Sequence, residues 1–357
     1  MAGTREFRED DIEQLVSLRA RCFEHSAQPT ARAMASYFAE ILLHSPWRDP
    51  DLPSLVHEDG SGKIVGFLGV MSRRMRLKKE RLRVAVGTQF MVDPENRGLA
   101  GLSLLKSFQD GPQDLALADS ASDLVRRIWE RIGGKVCPLF SLSWTRPIRP
   151  LRHVISELGN APQVRAFKLA CRPLASVIDA VAARTAARFR PPRPKTTGNT
   201  LGVRELVEGM ELLASERRLV PEYDEAELAF VFRQLEERPG FRALEGSLIK
   251  DSDGSVAGWH LSLIRQREIH VVQLAARKDK HGVVLDDLFA RAWKRGAIKV
   301  TGRLEPVLLK PLAERACSFG HSGPWTLVAS RRPDVLSAIE RGEAILSCLE
   351  GEWWLNF

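Results

Sequence analysis

The sequence predicts an α/β protein made of two similar domains, each with a mixed, mostly antiparallel sheet flanked by helices. Three observations lead to this prediction. The chain has 357 residues, which is enough for two domains of ordinary size. Its hydrophobic residues follow strand spacing in some segments and helix spacing in others. The order helix, helix, hairpin, strand, helix, strand, helix, strand occurs twice, which indicates a duplicated domain.

The composition is that of a globular protein, with 44% hydrophobic and 27% charged residues. The five cysteines form no CxxC pair, which argues against a disulfide framework and a structural zinc site. The N-terminus lacks an apolar signal-peptide core, and no apolar run reaches the roughly 20 residues of a membrane helix. We therefore expect a cytoplasmic protein with no membrane partner. A net charge of +8 permits an anionic ligand such as a phosphorylated cofactor, without requiring nucleic acid.

In the first half, two predicted helices are followed by a hairpin around the Asp-Gly turn at residues 59–62 and then by alternating strands and helices. The basic run 73–83 is interpreted as a solvent-exposed hairpin tip, with a patch for an anionic ligand as the alternative. The predicted helices are 11–23, 30–43, 99–108 and 120–132, and the predicted strands are 53–58, 63–71, 84–92, 115–118 and 136–144.

The second half repeats this order after a region of different character. Residues 149–158 and 177–189 are predicted helices, and the proline-rich stretch 191–198 is the best candidate for a boundary. The predicted domains are 1–146, a helical and proline-rich linker 147–200, and 201–357. Within the last, the predicted helices are 203–219, 225–237, 283–295, 306–319 and 333–340, and the strands are 241–250, 255–264, 269–276, 298–301 and 325–329.

Residues 92–102 (VDPENRGLAGL) carry the clearest chemical signal. A predicted strand ends there, a glycine-containing turn follows, and a helix then begins. The backbone N–H groups of a helix N-terminus are free to bind phosphate, and Arg97 adds positive charge. A strand–turn–helix connection that binds nothing is the alternative interpretation of the same pattern.

This stretch resembles motif A of the GNAT superfamily, the acyl-CoA-dependent N-acyltransferases. The similarity in element order covers residues 5–146, and residues 128–133 (IWERIG) are similar to the end of a helix that carries a family signature. The chain departs from the family pattern in two ways. Its loop is one residue short, with Gly98 and Gly101 as the only glycines, and Trp129 stands where many members place a tyrosine that acts as general acid.

The resemblance implies that an amine attacks the thioester carbonyl of an acyl-CoA, with acetyl-CoA expected as the cosubstrate. Backbone N–H groups near Met91 and Val92 would bind the carbonyl oxygen, and those of residues 97–102 would bind the pyrophosphate. The cofactor-binding residues implied in this way are Met91, Val92, Arg97, Gly98, Leu99, Ala100, Gly101 and Leu102.

The sequence does not single out a catalytic base. Glu58 and Asp119 are the candidates, with Glu40 and Asp123 as further carboxylates, and none has a spacing that separates it from an ordinary solvated side chain. No His or Cys cluster has metal-ligand spacing, so no metal is expected.

The second half carries RKDKHGVV at residues 277–284 in place of motif A, which predicts a degenerate copy with a structural role or a role in the acceptor cleft. The acceptor is expected to be a small-molecule or peptide amine, and nucleic acid is not favoured. Two alternatives remain open at this point: an aminoacyl-tRNA-dependent transferase of the tandem type, and a non-catalytic acyl-CoA-binding module.

Overall fold

The computed structural model describes residues 3–23, 30–96, 98–159, 162–186, 189–192, 198–321 and 323–355. Within them, fifteen strands form two mixed sheets, which confirms the predicted fold class. The strands are β1 (Gly3–Glu6), β2 (Leu55–Glu58), β3 (Ile64–Leu77), β4 (Glu80–Val92), β5 (Leu115–Ala121), β6 (Lys135–Val136), β7 (Ser143–Pro147), β8 (Asn199–Thr200), β9 (Leu219–Pro221), β10 (Ala243–Lys250), β11 (Val256–Arg265), β12 (Glu268–Ala276), β13 (Lys299–Arg303), β14 (Ser318–Gly320) and β15 (Trp325–Ala329).

Eleven α-helices in the described residues cover these sheets, and a π-helical turn at Ala39–Leu43 extends the second of them. The helices are α1 (Ile12–Cys22), α2 (Ala31–Phe38), α3 (Leu99–Gln109), α4 (Asp123–Arg131), α5 (Pro150–Glu157), α6 (Pro162–Thr185), α7 (Val203–Leu213), α8 (Glu225–Glu236), α9 (His281–Arg295), α10 (Leu309–Ala313) and α11 (Pro333–Glu340).

The first sheet has the strand order β1-β2-β3-β4-β5-β15-β6, with β9 paired to β3, and the second has the order β14-β7-β13-β12-β11-β10-β8. The pairs β4–β5 and β12–β13 are parallel, and the other pairs between named strands are antiparallel. We call each sheet with the helices that cover it a lobe. Each lobe contains a hairpin followed by one crossover helix, α3 in the first lobe and α9 in the second. This is the repeated element order that the sequence predicts.

The two sheets exchange strands. β15, from the second half of the chain, lies between β5 and β6 with Leu327 opposite Ala118. β7, from the first half, lies between β13 and β14 with Thr145 opposite Thr301. Each lobe is completed by a strand of the other, so residues 143–147 belong to the second sheet although the predicted ranges divide the chain at 146. The domain ranges 1–146, 147–200 and 201–357 stay a prediction.

Three groups of buried side chains hold the layers together. One group lies between the two sheets and includes residues of both lobes, among them Phe67, Trp259 and Trp354. A second packs α3 and α4 on the outer face of the first sheet, and a third packs α9 on the outer face of the second. The large shared core and the exchanged strands join the lobes tightly.

The basic run 73–83 is an exposed hairpin tip at residues 78–81, but its other residues lie within the sheet. Both strands of the hairpin continue through it, because β9 pairs with β3 at Leu77 and Leu219 and extends the sheet there. The Arg73 guanidinium lies 4.1 Å from the ring centroid of Trp47, and its Nε and Nη2 atoms are buried. The predicted exposed tip is therefore wrong for Arg73, whose charged group lies in the interior between the lobes.

The C-terminal segment (residues 344–355) runs between the two sheets. The Cys348 N–H donates to the Val272 carbonyl of β12 at 3.1 Å, and the Glu352 N–H donates to Asp119 Oδ1 of β5 at 2.8 Å. Trp354 is fully buried in this segment. The end of the described chain thus bridges the two lobes.

Candidate active site

The central feature of the first lobe is a gap between the ends of its two parallel strands. β4 and β5 pair only where Val84–Val86 lie beside Leu115–Leu117. Further along, Phe67 of β3 pairs with Met91, and Gly69 pairs with Thr88, so β4 contains one more residue than β3 over this stretch. This is a β-bulge, and Gln89 within it has a φ of 49°. The bulge turns the end of β4 away from its parallel neighbour.

The backbone at the end of β4 directs one N–H group toward this gap. The Asp93 N–H donates to the Val65 carbonyl of β3 at 2.8 Å. Because N–H groups alternate in direction along a strand, the Met91 N–H also faces β3, whereas the Val92 N–H faces the gap. Of the two strand residues predicted to bind a carbonyl oxygen, Val92 has the suitable direction.

The loop after β4 places the N-terminus of α3 beside the gap. Gly98 is the residue before the helix and has φ 124° and ψ −88°, a conformation that favours glycine. Leu99 is 83% exposed, so α3 begins at the surface, and the first N–H groups of a helix have no partner within the helix. Arg97, predicted to add charge here, lies outside the described residues.

Close packing brings α3 onto β4. A Cβ at Gly101 would lie 3.4 Å from the Phe90 ring and 3.5 Å from Val92 Cγ2, so the helix approaches the strand closely at this glycine. Ala100 is buried, and Leu102 is 40% exposed. The structure therefore brings the described members of the predicted cofactor set together at one end of β4.

An ion pair holds the start of the loop that follows β4. Arg21 Nε of α1 donates to Asp93 Oδ2 at 2.7 Å, and the Glu95 N–H donates to Asp93 Oδ1 at 3.2 Å. Burial disfavours the charged carboxylate, but these two hydrogen bonds and the nearby cations hold the pKa of Asp93 below its ordinary value. Asp93 is thus an ionised structural residue at neutral pH.

The candidate base Glu58 is engaged elsewhere. It lies at the end of β2, two strands from β4, and Arg5 Nε donates to Glu58 Oε1 at 2.9 Å. The same guanidinium donates to both carboxylate oxygens of Asp11 at 2.7 and 2.8 Å. Glu58 therefore belongs to an ion-pair cluster that joins β1, β2 and the start of α1, and the structure does not bring it to the gap.

The candidate base Asp119 lies at the gap, but it is buried in a salt bridge. Arg303 of β13 donates from Nη1 to Asp119 Oδ2 at 2.7 Å and from Nη2 to the Asp119 carbonyl at 3.0 Å. The other carboxylate oxygen accepts the Glu352 N–H. Both oxygens are occupied, so Asp119 can orient neighbouring groups but has no free oxygen directed at a substrate.

Glu352 is the carboxylate at the gap that sequence reasoning missed. Its Oε2 accepts a hydrogen bond from Thr88 Oγ1 at 2.5 Å and another from the Gln89 N–H at 3.1 Å. Burial and the neighbouring Asp119 carboxylate raise the pKa of Glu352 to about 7. Thr88 and Glu352 are 264 positions apart in the sequence. No local motif marks Glu352, and a single acidic residue near an aromatic tail is not a signal.

Trp129 has a structural role. It is buried, and its Nε1 donates to the Val328 carbonyl of β15 at 3.0 Å. The indole therefore fixes the exchanged strand. Tyr223 is partly buried between the lobes, where it donates to Glu350, and burial followed by the Glu350 charge raises the pKa of its phenol well above the ordinary value.

Side chains of the chain itself hold the loop of the second lobe that corresponds to residues 92–102. The Glu216 carboxylate accepts the Lys278 N–H, and Arg277 Nε donates to the same carboxylate at 3.3 Å. A Cβ at Gly282 would lie 2.7 Å from Arg315 Nη2, so an arginine side chain covers the first turn of α9. A cavity of about 650 Å³, lined by residues that include Lys278, His281 and Arg315, lies beside this loop and the start of α9.

The described part of the chain contains no group of three or more His, Cys, Asp or Glu side chains placed to hold a metal ion. None of its helices combines the length and the apolar character that crossing a bilayer requires.

Comparisons with known proteins agree with this geometry. Residues 4–109 match the family model for the acetyltransferase (GNAT) domain. A mycothiol acetyltransferase from Propionibacterium freudenreichii subsp. shermanii is 29% identical over 166 residues, which are 44% of this chain and 50% of that protein. The chain thus spans about half the length of this curated relative.

Solved structures share the fold over most of the chain. A GCN5-related N-acetyltransferase from Anabaena variabilis ATCC 29413 has a TM-score of 0.59 at 14% identity and covers 92% of this chain and 73% of its own. One from Kribbella flavida has a TM-score of 0.57 at 15% identity and covers 92% and 70%. The resemblance found in the sequence is confirmed: residues 4–109 match the acetyltransferase (GNAT) domain, a family that uses acyl-CoA as cosubstrate, and the solved structures share the fold.

Proposed function

We propose that this protein is an N-acyltransferase that moves an acyl group from acyl-CoA, with acetyl-CoA as the expected donor, to the amine of a small molecule or peptide. The observation that carries the proposal is the open end of β4. There the Val92 N–H faces the gap, and the exposed first turn of α3 lies directly after it. The donor for a carbonyl oxygen, at the end of β4, and the anion site, at the start of α3, thus lie next to each other.

In this function, the pyrophosphate of the coenzyme is bound by the N–H groups at the start of α3, where the helix dipole also favours negative charge. The thioester carbonyl lies in the gap and accepts the Val92 N–H. When an amine attacks the carbonyl carbon, negative charge develops on that oxygen, and a fixed backbone donor stabilises it. Holding both reactants in one gap supplies the remaining rate enhancement.

Trp129 supplies no proton to the leaving thiolate, because an indole N–H does not ionise near neutral pH and this one is bonded to Val328. The thiolate of coenzyme A is a good leaving group and takes its proton from water. The proposed chemistry therefore needs donor, acceptor and base, but no side-chain acid.

Leu99→Glu tests the anion site. A carboxylate in the first turn of a helix favours the helix, so the variant should fold at least as well as the wild type. The same charge would repel a bound pyrophosphate, and we expect acetyl-CoA affinity by calorimetry to fall by roughly tenfold or more, about 1.4 kcal/mol or more.

Leu124→Glu is the matched control, because Leu124 is a 62% exposed leucine in the first turn of α4. It should leave the affinity for acetyl-CoA unchanged. Equal affinities for all three proteins would contradict the placement of the coenzyme.

Turnover is tested by following the release of free thiol from acetyl-CoA in the presence of amino sugars, polyamines, amino acids and peptide amines. Thiol release that depends on one class of amine, with a matching N-acetyl product by mass spectrometry, is the expected result. Tight binding of acetyl-CoA without thiol release on the whole panel would favour a non-catalytic binding module.

A further inference from the structure

Resting on the proposed function, we propose that Glu352 is the general base that takes the proton from the attacking amine, and that Asp119 and Arg303 are its positioning residues. A residue of the C-terminal segment, which packs between the lobes, would thus complete the catalytic site of the first lobe.

The placement of Glu352 supports this role. Its carboxylate reaches the bulge of β4, where Thr88 and the Gln89 N–H both donate to Oε2. Oε1 accepts no hydrogen bond from any group that the structure describes, and the side chain is partly exposed. One carboxylate oxygen is therefore anchored and the other is available, three residues along β4 from the Val92 N–H that would bind the thioester oxygen.

The backbone of Glu352 is fixed as firmly as its side chain. Its N–H donates to Asp119 Oδ1 at 2.8 Å, and Arg303 holds the other oxygen of Asp119 at 2.7 Å. A Cβ at Gly351 would collide with the Asp119 carboxylate, so glycine allows this close approach. Asp119 and Arg303 thus determine where Glu352 lies without touching the substrate.

The protonation of Glu352 suits a base at neutral pH. Burial and Asp119 raise its pKa to about 7, while Thr88, the Gln89 N–H and Arg303 act in the opposite direction. These groups come from β5, β4 and β13, the strands packed against it. A base whose pKa lies near the working pH is both available in its ionised form and strong enough to accept a proton.

The amine nitrogen lone pair attacks the thioester carbon and forms the C–N bond, and the C–S bond breaks with its electron pair leaving on sulfur. The amine proton passes to Glu352, directly or through one water molecule. Glu352 later returns this proton to solvent, and the thiolate of coenzyme A is protonated by water.

Glu352→Gln tests the proposal, because an amide oxygen still accepts both hydrogen bonds but cannot take a proton. Thiol release from acetyl-CoA is measured with hydroxylamine, an amine that is uncharged around neutral pH, and with water as the acceptor. Wild-type kcat/KM should rise with pH and level off above an apparent pKa of about 7. Glu352→Gln should lose roughly 10²–10⁴-fold in rate together with this pH dependence, at unchanged acetyl-CoA affinity.

Two further variants separate a base from a structural contact. Glu352→Asp keeps a carboxylate and should retain the pH dependence at a lower rate. Thr88→Val removes a donor to the ionised form, so the apparent pKa of the rate profile should move upward. Glu340→Gln is the control, since Glu340 is an exposed partner of Lys135 on the surface and should change neither rate nor profile.

The outcomes distinguish the two proposals. If the wild type does not bind acetyl-CoA, the proposed function fails and the base assignment fails with it. If the wild type turns over and Glu352→Gln keeps its rate and pH profile, only the base assignment is overturned. The base assignment is also contradicted if the wild type binds acetyl-CoA but, with hydroxylamine and with water, releases thiol no faster than the uncatalysed reaction.

Discussion

Arg303 Nη1 lies 2.7 Å from Asp119 Oδ2 in a salt bridge that links β13 of the second sheet to β5 of the first. The Asp119 side chain is 2% exposed and that of Arg303 is 14% exposed. Asp119 also holds the backbone of the C-terminal segment. A single buried ion pair therefore connects both sheets and the segment between them, at the gap where the proposed chemistry occurs.

Arg303→Ala should be strongly destabilising, because it leaves the Asp119 carboxylate buried without a cation. The expected loss in the free energy of unfolding is roughly 3–5 kcal/mol, measured by urea denaturation. Asp119→Asn combined with Arg303→Met should recover part of this loss, since neither charge then remains. Arg204→Ala, which breaks the exposed pair with Glu208, should leave the free energy of unfolding almost unchanged. Similar losses for Arg303→Ala and Arg204→Ala would show that the buried pair is unimportant.

Gly98→Ala should reduce both stability and acetyl-CoA affinity. Its φ of 124° is a conformation that alanine adopts only at a cost of roughly 1–3 kcal/mol, and relieving this strain moves the start of α3. Gly62→Ala is the matched control, because Gly62 also has a positive φ of 83° but lies in the turn between β2 and β3. We expect a comparable loss of stability there with unchanged affinity by calorimetry. An unaltered affinity in Gly98→Ala would argue against the loop as the anion site.

The fragment 1–146 should not fold alone. Without β15 the first sheet loses the strand that separates β5 from β6, and the edge of β5 is left open to aggregation. The fragment also loses the C-terminal segment and half of the core between the sheets. We expect it to be insoluble or to show no cooperative thermal transition by circular dichroism. A sharp transition would mean that the predicted range 1–146 is an independent domain despite the exchanged strands.

Stability should fall as the pH rises from about 5 to about 9, in part through Glu305. Burial and the neighbouring Glu350 raise its pKa from 4.5 to about 8, against the opposing effect of Arg217 and Arg303. The folded protein therefore binds this proton more tightly than the unfolded chain. The contribution is fully present below pH 4.5 and is lost as the pH rises through about 8.

Glu305→Gln removes this titration, so its free energy of unfolding should depend less steeply on pH than that of the wild type. The two curves, measured by urea denaturation at a series of pH values, should diverge by roughly a few kcal/mol. Parallel curves would show that Glu305 does not titrate with a raised pKa.

The parts of the candidate cofactor site could be located from the sequence because they are adjacent in the chain. The end of β4, the turn at Gly98 and the start of α3 lie within residues 92–102, where strand periodicity, glycine and helix periodicity follow one another. The general base, by contrast, could not be identified from the sequence. Glu58 and Asp119 are acidic residues in suitable elements, but whether a carboxylate is free or already paired depends on Arg5 and Arg303, which come from distant segments.

The sequence by itself determined the alternation of helices and strands, the duplicated element order and the glycine-containing turn between β4 and α3. Each of these depends on local periodicity and backbone preference. Only the tertiary structure decided that β7 and β15 are exchanged, that the charged group of Arg73 lies inside, and that Glu352 meets Thr88 at the bulge. Strand order and buried ion pairs arise from contacts between residues far apart in the chain. Many arrangements share the same local pattern, and packing of the core between the two sheets selects one of them.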